Sequence, residues 1–182
     1  MLFRETELKG AFLIEPERLE DERGFFARIF CRKEFEARGL NPSIAQCSIS
    51  FNARQGTLRG MHYQAAPHEE TKIVSCTAGA ICDVIVDLRP HSPTFTRWTA
   101  AELTAENHLL FYVPAGFAHG FLTLQDRSEA LYQISEFYHP ERARGVRWDD
   151  PAFQIRWPER PRIISDRDRS FPDFTPNGRA DA

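Results

Sequence analysis

The sequence lacks any stretch of about 18 uncharged apolar residues, so it predicts no membrane-spanning helix. Charged residues at positions 4, 5, 7 and 9 interrupt the N-terminal segment, which does not resemble a signal peptide. An excess of basic charge is also missing, because 23 Lys and Arg residues are set against 26 Asp and Glu, a net charge of −3. This balance disfavours non-specific nucleic-acid binding. We expect no membrane partner and no nucleic-acid partner.

No CxxC pair is present, and Cys31, Cys47, Cys76 and Cys82 are scattered along the 182 residues. A chain of this length builds a core without disulfides, so the pattern predicts free, buried thiols and a reducing, cytoplasmic location. Lysine is also scarce. Only three of the 23 basic residues are lysines, which draws attention to Lys72 within a patterned strand. By contrast, 15 phenylalanines predict an aromatic-rich core or interface.

Short alternating segments dominate the chain, separated by gaps that contain Gly, Pro, Asn or Asp. In Ile81–Leu88, for example, two isoleucines and two aspartates share one face. Many short strands at regular spacing predict an antiparallel sandwich or barrel. The other predicted strands are Phe12–Glu15, Phe25–Phe30, Ile44–Phe51, Thr57–Tyr63, Thr71–Thr77, Leu109–Val113, Gly120–Leu124 and Ala130–Ser135.

Helical signals are sparse. Arg32–Arg38 followed by Gly39 predicts one short helix with a C-terminal glycine. From Pro140 onward the chain is rich in Pro, Arg and Asp, which predicts an irregular tail laid over the barrel, with residues 173–182 mobile. With no repeat and no low-complexity linker, the whole chain, residues 1–182, is predicted to be one domain.

Two histidines stand in patterned segments. Strict alternation over Leu58–Gln64 places His62 on one strand face with Gly60, and Arg59 on the other. His119 closes a Pro-x-Gly-x-x-His spacing, Pro114 to His119, which is typical of cupin barrels. A metal-dependent cupin isomerase or oxygenase stays open at this point, because His62, His68, Glu69 and His119 are the residue types that bind metals, although the paired His-x-His is missing.

Several motifs, taken in order, resemble the dTDP-4-dehydrorhamnose 3,5-epimerase family of metal-free, cupin-like enzymes. The resemblance spans residues 1–172 and implies a mainly β, antiparallel cupin-like jelly-roll barrel with short peripheral helices. The motifs are Arg23-Gly24-Phe25-Phe26, Leu58–Gln64, Asp83–Arg89, Ser92-Pro93-Thr94-Phe95, Pro114–Phe121, Tyr138-His139-Pro140-Glu141 and Trp148-Asp149-Asp150-Pro151.

The resemblance also implies roles. His62 is expected to be the general base, Asp168 the acid that orients it, Tyr132 the proton donor on the opposite sugar face and Lys72 the cation near the C4 keto oxygen. No metal and no cofactor are implied, and the partners are a nucleotide-diphosphate sugar and a second copy in a strand-exchanged homodimer. Substrate contacts are expected from Arg23 (supplied by the partner subunit), Phe26, Gln46, Ser48, Arg59, His119, Tyr138 and Arg167.

Three positions depart from the family pattern: Arg28, Cys47-Ser48 and Ala143 stand where a glutamate, Asp-Asn and a second acid are usual. The four predicted catalytic residues are intact. The predicted activity is epimerisation of a nucleotide-linked 4-keto-6-deoxy sugar at C3 and C5. The alternatives are a C3-only enzyme, an epimerase of another nucleotide sugar, the metal-dependent cupin and a silent binding protein.

Overall fold

A computed structural model describes residues 1–175, in which 14 strands and two short helices form a mainly antiparallel β structure. The predicted cupin-like antiparallel fold is confirmed. The first sheet has six strands in the order β1-β2-β10-β7-β12-β5. They are β1 Leu2–Glu5, β2 Phe12–Glu15, β10 Leu110–Val113, β7 Lys72–Ala78, β12 Ser128–Ile134 and β5 Gln46–Asn52.

The second sheet has the order β13-β6-β11-β8-β9, and β14 adds to β6 in parallel. A separate hairpin consists of β3 and β4, and the helices are α1 and α2. The bounds are β13 Ala143–Gly145, β6 Thr57–Gln64, β11 Phe117–Thr123, β8 Ala80–Asp87, β9 Trp98–Thr104, β14 Ile163–Ile164, β3 Arg18–Asp21, β4 Gly24–Ala27, α1 Arg32–Glu36 and α2 Asp166–Arg169.

The core lies between the two sheets. Strand β8 is buried on both faces: Ile81 and Ile85 enter the central cluster, whereas Val84 and Val86 pack under the C-terminal segment. A third cluster beside α1 is aromatic, as the phenylalanine content predicts, and Phe35 at its centre is fully buried. Its edge-on ring pairs add to the free energy gained by burial of apolar surface.

Local sequence signals account for some boundaries and not for others. Strand β2 has the predicted bounds, and the helix predicted over Arg32–Arg38 begins at Arg32 and is followed by Gly39 at φ +69°. The Leu40 amide donates to the Phe35 carbonyl and the Gly39 amide to the Glu36 carbonyl, which is a Schellman end. Prediction missed β1, β3 and β9.

The tail prediction was wrong in part, because the segment after Pro140 contributes β13, β14 and α2 rather than irregular structure alone. Phe174, placed in the predicted mobile segment, packs against Phe95 and Phe153 and donates its amide to Asp150. Residues 176–182 of that prediction lie outside the described residues.

The strict alternation predicted for Leu58–Gln64 is wrong, because β6 contains a β-bulge. On β11, His119 pairs with His62 while Phe121 pairs with Arg59, so β6 has one extra residue between the two pairs. The bulge brings Arg59 to the same cavity as His62, although alternation placed them on opposite faces.

Gly60 sits in this bulge at φ +124°, and a Cβ there would lie 2.6 Å from the Cα of Gly120. We expect Gly60→Ala to lower the free energy of unfolding by about 2–6 kcal/mol, because backbone strain and overpacking add. Gly24→Ala is the matched control, since Gly24 has φ +122° and nothing within 4 Å of its Cβ position.

For Gly24→Ala we expect a loss of only about 1–3 kcal/mol from backbone strain. Urea unfolding measures the free energy of unfolding of both variants. The difference between their losses is the contribution of the close approach between β6 and β11. Equal losses would contradict the packing account of Gly60.

The prediction of buried thiols holds for Cys76 but not for Cys47, which is exposed on β5. Burial raises the pKa of both Cys76 and Cys82 to about 11. These two thiols are therefore protonated near neutral pH, which makes them poor nucleophiles.

Candidate active site

A cavity of about 620 Å³ opens between the two sheets. The first sheet contributes Tyr132 from β12, Lys72 from β7 and Ser48 from β5, and the second contributes His62 from β6 and His119 from β11. Its volume is in the range of sites that bind small molecules. A smaller cavity of about 190 Å³ adjoins it, and His62, Lys72, Ile134 and Arg167 line both.

His62 and Asp168 form a hydrogen-bonded pair at this cavity, with 2.7 Å between His62 Nε2 and Asp168 Oδ1. Asp168 is buried, and its other oxygen accepts the amide of Gly60 at 3.1 Å. Burial opposes ionisation of Asp168, but hydrogen bonds from His62 and Gly60 outweigh it and lower the pKa of the carboxyl. The ionised carboxylate requires His62 Nε2 to be the donor, which leaves Nδ1 as the nitrogen with the lone pair.

Helix α2 holds Asp168 in place. Ser165 is its N-cap and accepts the Asp168 amide at 3.1 Å. The composition of residues 165–169, a charged run, is typical of solvated surface. In the structure this run presents the buried Asp168 carboxylate to the cavity, while the neighbouring Arg167 stays exposed at the rim.

Lys72 is buried where the two cavities meet. Its ammonium group lies 2.9 Å from Glu70 Oε1 and donates to the His62 carbonyl at 3.3 Å. An ammonium has three N–H bonds, so one remains for a ligand. Sequence reasoning did not identify Glu70 as the counter-ion that makes this buried lysine tolerable.

Tyr132 faces the second sheet, with its ring edge-on to His119 at a centroid distance of 5.7 Å. Within residues 1–175 its hydroxyl has no hydrogen-bond partner. Burial, followed by the nearby Asp83 carboxylate, raises the pKa of Tyr132, while Arg59 opposes the shift. The phenol therefore stays protonated through the neutral pH range, as a proton donor requires.

His119 is paired with Asp83 at 2.8 Å, and both residues are buried. Burial raises the pKa of the Asp83 carboxyl, opposed by His119 and Lys72. Sequence reasoning missed this role of Asp83. The signal was available, because an aspartate between Ile81 and Ile85 on an inward face needs a buried partner.

The remaining predicted contacts fall into two groups. Arg59, which donates to Asn52 Oδ1 at 2.7 Å, lies with Ser48 and Arg167 at the larger cavity, whereas Gln46 and Tyr138 line the smaller one. The Tyr138 amide donates to Gln46 Oε1 at 2.8 Å, so the two residues form one edge.

Arg23 and Phe26 line neither cavity within this chain. Both lie on the β3–β4 hairpin, where Arg23 is almost fully exposed and paired with Asp21, and Phe26 is 67% exposed.

The residues considered for a cupin metal site are not brought together. Of the described residues, the group of His, Cys, Asp and Glu side chains close enough to share an ion is His68, Glu136 and His139. His62 and His119, the two considered residues that line the larger cavity, do not belong to such a group among the described residues. The cavity's own donors therefore do not match a catalytic metal centre.

Comparison with known proteins identifies the family of this chain. The sequence profile described as dTDP-4-dehydrorhamnose 3,5-epimerase matches residues 5–176. A dTDP-4-dehydrorhamnose 3,5-epimerase from Sinorhizobium fredii is 40% identical over 175 residues, which cover 96% of this chain and 90% of the relative. The chain belongs to this family. It is an epimerase, an enzyme of the isomerase class.

Solved structures of family members superpose closely. The epimerase from Elizabethkingia anophelis has a TM-score of 0.93 at 41% identity, with 96% of each chain covered. The Bacillus anthracis enzyme, crystallised with TDP and PPi bound, has a TM-score of 0.91 at 42% identity and covers 95% of this chain and 99% of its own. A 3'-monoepimerase from Streptomyces bikiniensis, bound to dTDP-quinovose, has a TM-score of 0.85 at 35% identity. The match covers 92% of this chain and 85% of the monoepimerase chain.

We expect Asp168→Asn to lower kcat by about 10²–10⁴-fold, because an amide does not hold His62 in the tautomer that leaves Nδ1 free to accept a proton.

The same variant is expected to lose less stability than the wild type in acid. A carboxyl whose folded pKa is depressed stabilises the fold above its unfolded pKa, near 3.8, and that contribution is lost as pH falls through the lower folded value.

Urea unfolding of wild type and Asp168→Asn between pH 7 and pH 3 measures this second effect. The wild type should lose the larger share of its stability over that range. Unchanged turnover in Asp168→Asn, or identical acid sensitivity, would contradict the role given to the His62–Asp168 pair.

Proposed function

We propose that this chain inverts C3 and C5 of dTDP-4-dehydro-6-deoxyglucose to give dTDP-4-dehydrorhamnose. The observation that carries the proposal is the position of His62 and Tyr132 on opposing walls of one cavity, with Lys72 on the same sheet as Tyr132 and its ammonium group donating to the His62 carbonyl. Inversion needs removal of a proton from one face and return of a proton to the other, and this arrangement supplies both groups.

In the proposed reaction His62 Nδ1 removes the proton from the carbon beside the ketone. The C–H electron pair moves into the ring and leaves negative charge on the C4 oxygen, where the Lys72 ammonium stabilises the enolate. Asp168 stabilises the imidazolium that forms. Tyr132 then donates its proton to the opposite face, and solvent returns the phenolate and imidazolium to their starting states. Because C3 and C5 both flank C4, one cation serves both inversions.

The diphosphate is placed between Arg59 and Arg167. Guanidinium groups bind phosphate oxygens with paired, directional donors, and both arginines are exposed and line the larger cavity. Tyr138, 58% exposed at the rim of the smaller cavity, offers an aromatic face for the base. Family members crystallised with TDP or a dTDP-sugar support a thymidine nucleotide.

The test is incubation of purified protein with dTDP-4-dehydro-6-deoxyglucose and identification of the product by NMR. The proposal predicts the product inverted at both centres, and the UDP-linked analogue serves as the comparison for the nucleotide. Turnover of the UDP sugar but not of the dTDP sugar would show that the enzyme uses a uridine nucleotide. We would then attribute that preference to the departures from the family pattern at Arg28, Ser48 and Ala143.

A C3-only epimerase is the second candidate, and the structural match to a 3'-monoepimerase favours it. The two candidates share every group that the mechanism uses, so about 1 Å in the position of the sugar decides between them. The same NMR spectrum separates them, because the C3-only product keeps the original configuration at C5.

We propose further that the chain acts as a homodimer in which the β3–β4 hairpin crosses to the partner and brings Arg23 and Phe26 to its site. Leu19 and Phe26, paired across the hairpin, are 69% and 67% exposed. Strand β5 is the edge of its sheet and exposes Ile49 and Phe51. Two unpartnered apolar surfaces, one beside a sheet edge, are typical of an interface.

Sedimentation velocity at micromolar concentration tests the dimer. We expect wild type to sediment as a dimer and the double variant Leu19→Asp with Phe26→Asp to sediment as a monomer with reduced turnover. The matched control is Leu2→Asp, which removes a 53% exposed apolar side chain outside the hairpin and should remain dimeric. A monomeric wild type would overturn this assignment.

A cytoplasmic location is the last part of the proposal. Its support is the set of four free cysteines, since unpaired thiols persist in a reducing compartment. Of the described residues, none forms a helix long and apolar enough to cross a membrane.

A further inference from the structure

His68, Glu136 and His139 converge at the rim of the smaller cavity, outside the groups used for epimerisation. Their ligand atoms all lie within 4.8 Å of one another. Glu136 Oε2 is 4.0 Å from His68 Nδ1, and Glu136 Oε1 is 3.9 Å from His139 Nε2. We propose that these three side chains bind a divalent transition-metal ion of the zinc class.

The donor set fits this class of ion. Two imidazoles and one carboxylate are the ligands that zinc takes from proteins, with bonds of about 2.0–2.2 Å. A tetrahedral ion with such bonds separates neighbouring ligand atoms by about 3.3–3.6 Å. The two imidazole rings are stacked with centroids 3.6 Å apart and planes 21° apart. The lone pair of a ring nitrogen lies in the ring plane, so binding of one ion by both histidines requires the two rings to rotate out of this stacked arrangement. Both side chains are partly exposed, 32% for His68 and 29% for His139, so solvent-facing space is present for that rotation.

A second carboxylate fixes the tautomer that metal binding needs. Glu141 Oε1 lies 3.3 Å from His139 Nδ1 and accepts its hydrogen, which leaves the lone pair on His139 Nε2, the nitrogen that faces Glu136. Metal-binding histidines commonly donate their other N–H to a carboxylate in this way. Glu136 is itself held, because its Oε1 accepts the Phe137 amide at 2.7 Å.

The buried side chain of Gln64 joins the two ligand-bearing segments, one with His68 and the other with Glu136 and His139. Its amide nitrogen donates to the carbonyls of His68 at 3.0 Å and Phe137 at 3.1 Å, and its oxygen accepts the His139 amide. The backbone is thus positioned before an ion arrives, which reduces the entropy cost of binding. Since Tyr138 lies between two ligands in sequence, a bound ion would also fix the rim of the smaller cavity.

Titration of the full-length, untagged, chelator-treated protein with ZnCl₂, followed by calorimetry, tests the site. We expect one equivalent bound with saturation and a rise in Tm of about 5–10 °C at 100-fold excess over Kd. CoCl₂ should give the intense visible bands of a four- or five-coordinate ion. His139→Gln should weaken zinc binding at least about 100-fold, and Glu141→Gln about 10-fold.

Two controls separate this site from other histidines. His91→Gln changes an exposed histidine and should bind zinc as wild type does. His62→Gln removes the imidazole paired with Asp168 and should also retain the site, which makes the outcome independent of the proposed reaction. Zinc affinity unchanged in His139→Gln, zinc binding lost in His62→Gln, or no saturable binding by wild type up to about 1 mM would each overturn the proposal.

Discussion

His62→Ala is expected to lower both epimerisation and solvent-hydrogen exchange by about 10²–10⁴-fold, the contribution of a positioned general base. His62 has the geometry for this role, because Asp168 holds Nε2 at 2.7 Å while 41% of the side chain is exposed. No other described imidazole replaces it, since His119 is buried and engaged by Asp83. Deuterium incorporation followed by NMR measures the exchange rate directly.

Two variants accompany this test. His62→Gln keeps an amide N–H that can donate to Asp168, so it separates loss of the base from destabilisation by an unpaired buried carboxylate. His91→Ala alters an exposed histidine and should exchange at the wild-type rate. Exchange at the wild-type rate in His62→Ala would refute the assignment of the base.

Tyr132→Phe is expected to reduce inversion by about 10²–10⁴-fold while deuterium continues to enter the substrate. Without the phenol, the enolate has no proton donor on its far face, so His62 returns deuterium to the face from which it removed the proton. The result is labelled substrate of unchanged configuration. Because the Tyr132 hydroxyl has no hydrogen-bond partner in residues 1–175, the substitution should barely alter stability.

Separate rates of exchange and inversion, measured on one NMR sample, check this result. Tyr112→Phe is the matched control, because it also removes a tyrosine hydroxyl but from the aromatic cluster beside α1, where that group accepts the Asn41 amide. It should lower stability by about 1 kcal/mol and leave the ratio of inversion to exchange unchanged. Exchange and inversion falling together in Tyr132→Phe would mean that Tyr132 is not the donor.

Periodicity and turn chemistry predicted much of the barrel because its strands carry their own signals. Strand β8 alternates across two buried faces, and β2 is a short apolar run that ends at Glu15, directly before Pro16. Strands that depend on neighbours were missed. All four residues of β3 are exposed, and β9 is an edge strand that contributes only Ala101 and Leu103 to the central core cluster. Nothing within such segments distinguishes them from loops.

The site residues also divide into those that the sequence indicated and those whose role depends on their neighbours in the fold. Resemblance to a family, rather than local pattern, singled out Asp168, which lies 106 residues from His62 in a charged run. Arg59 was placed on the wrong face because a bulge adds a residue opposite Gly120, and single-strand alternation carries no sign of it. Glu70 was not assigned, since its importance depends on the lysine that the fold buries beside it, whereas the inward face of β8 did carry a signal for Asp83 that was not used.

Incubation of the wild-type enzyme with dTDP-4-dehydro-6-deoxyglucose in D₂O, read by NMR at each ring carbon, tests the central claim most directly. The account predicts that product molecules carry solvent deuterium at both C3 and C5 and none at C2, because only C3 and C5 flank the C4 ketone that Lys72 faces. Product formed without deuterium at either position, or no exchange at all, would contradict proton abstraction by this site.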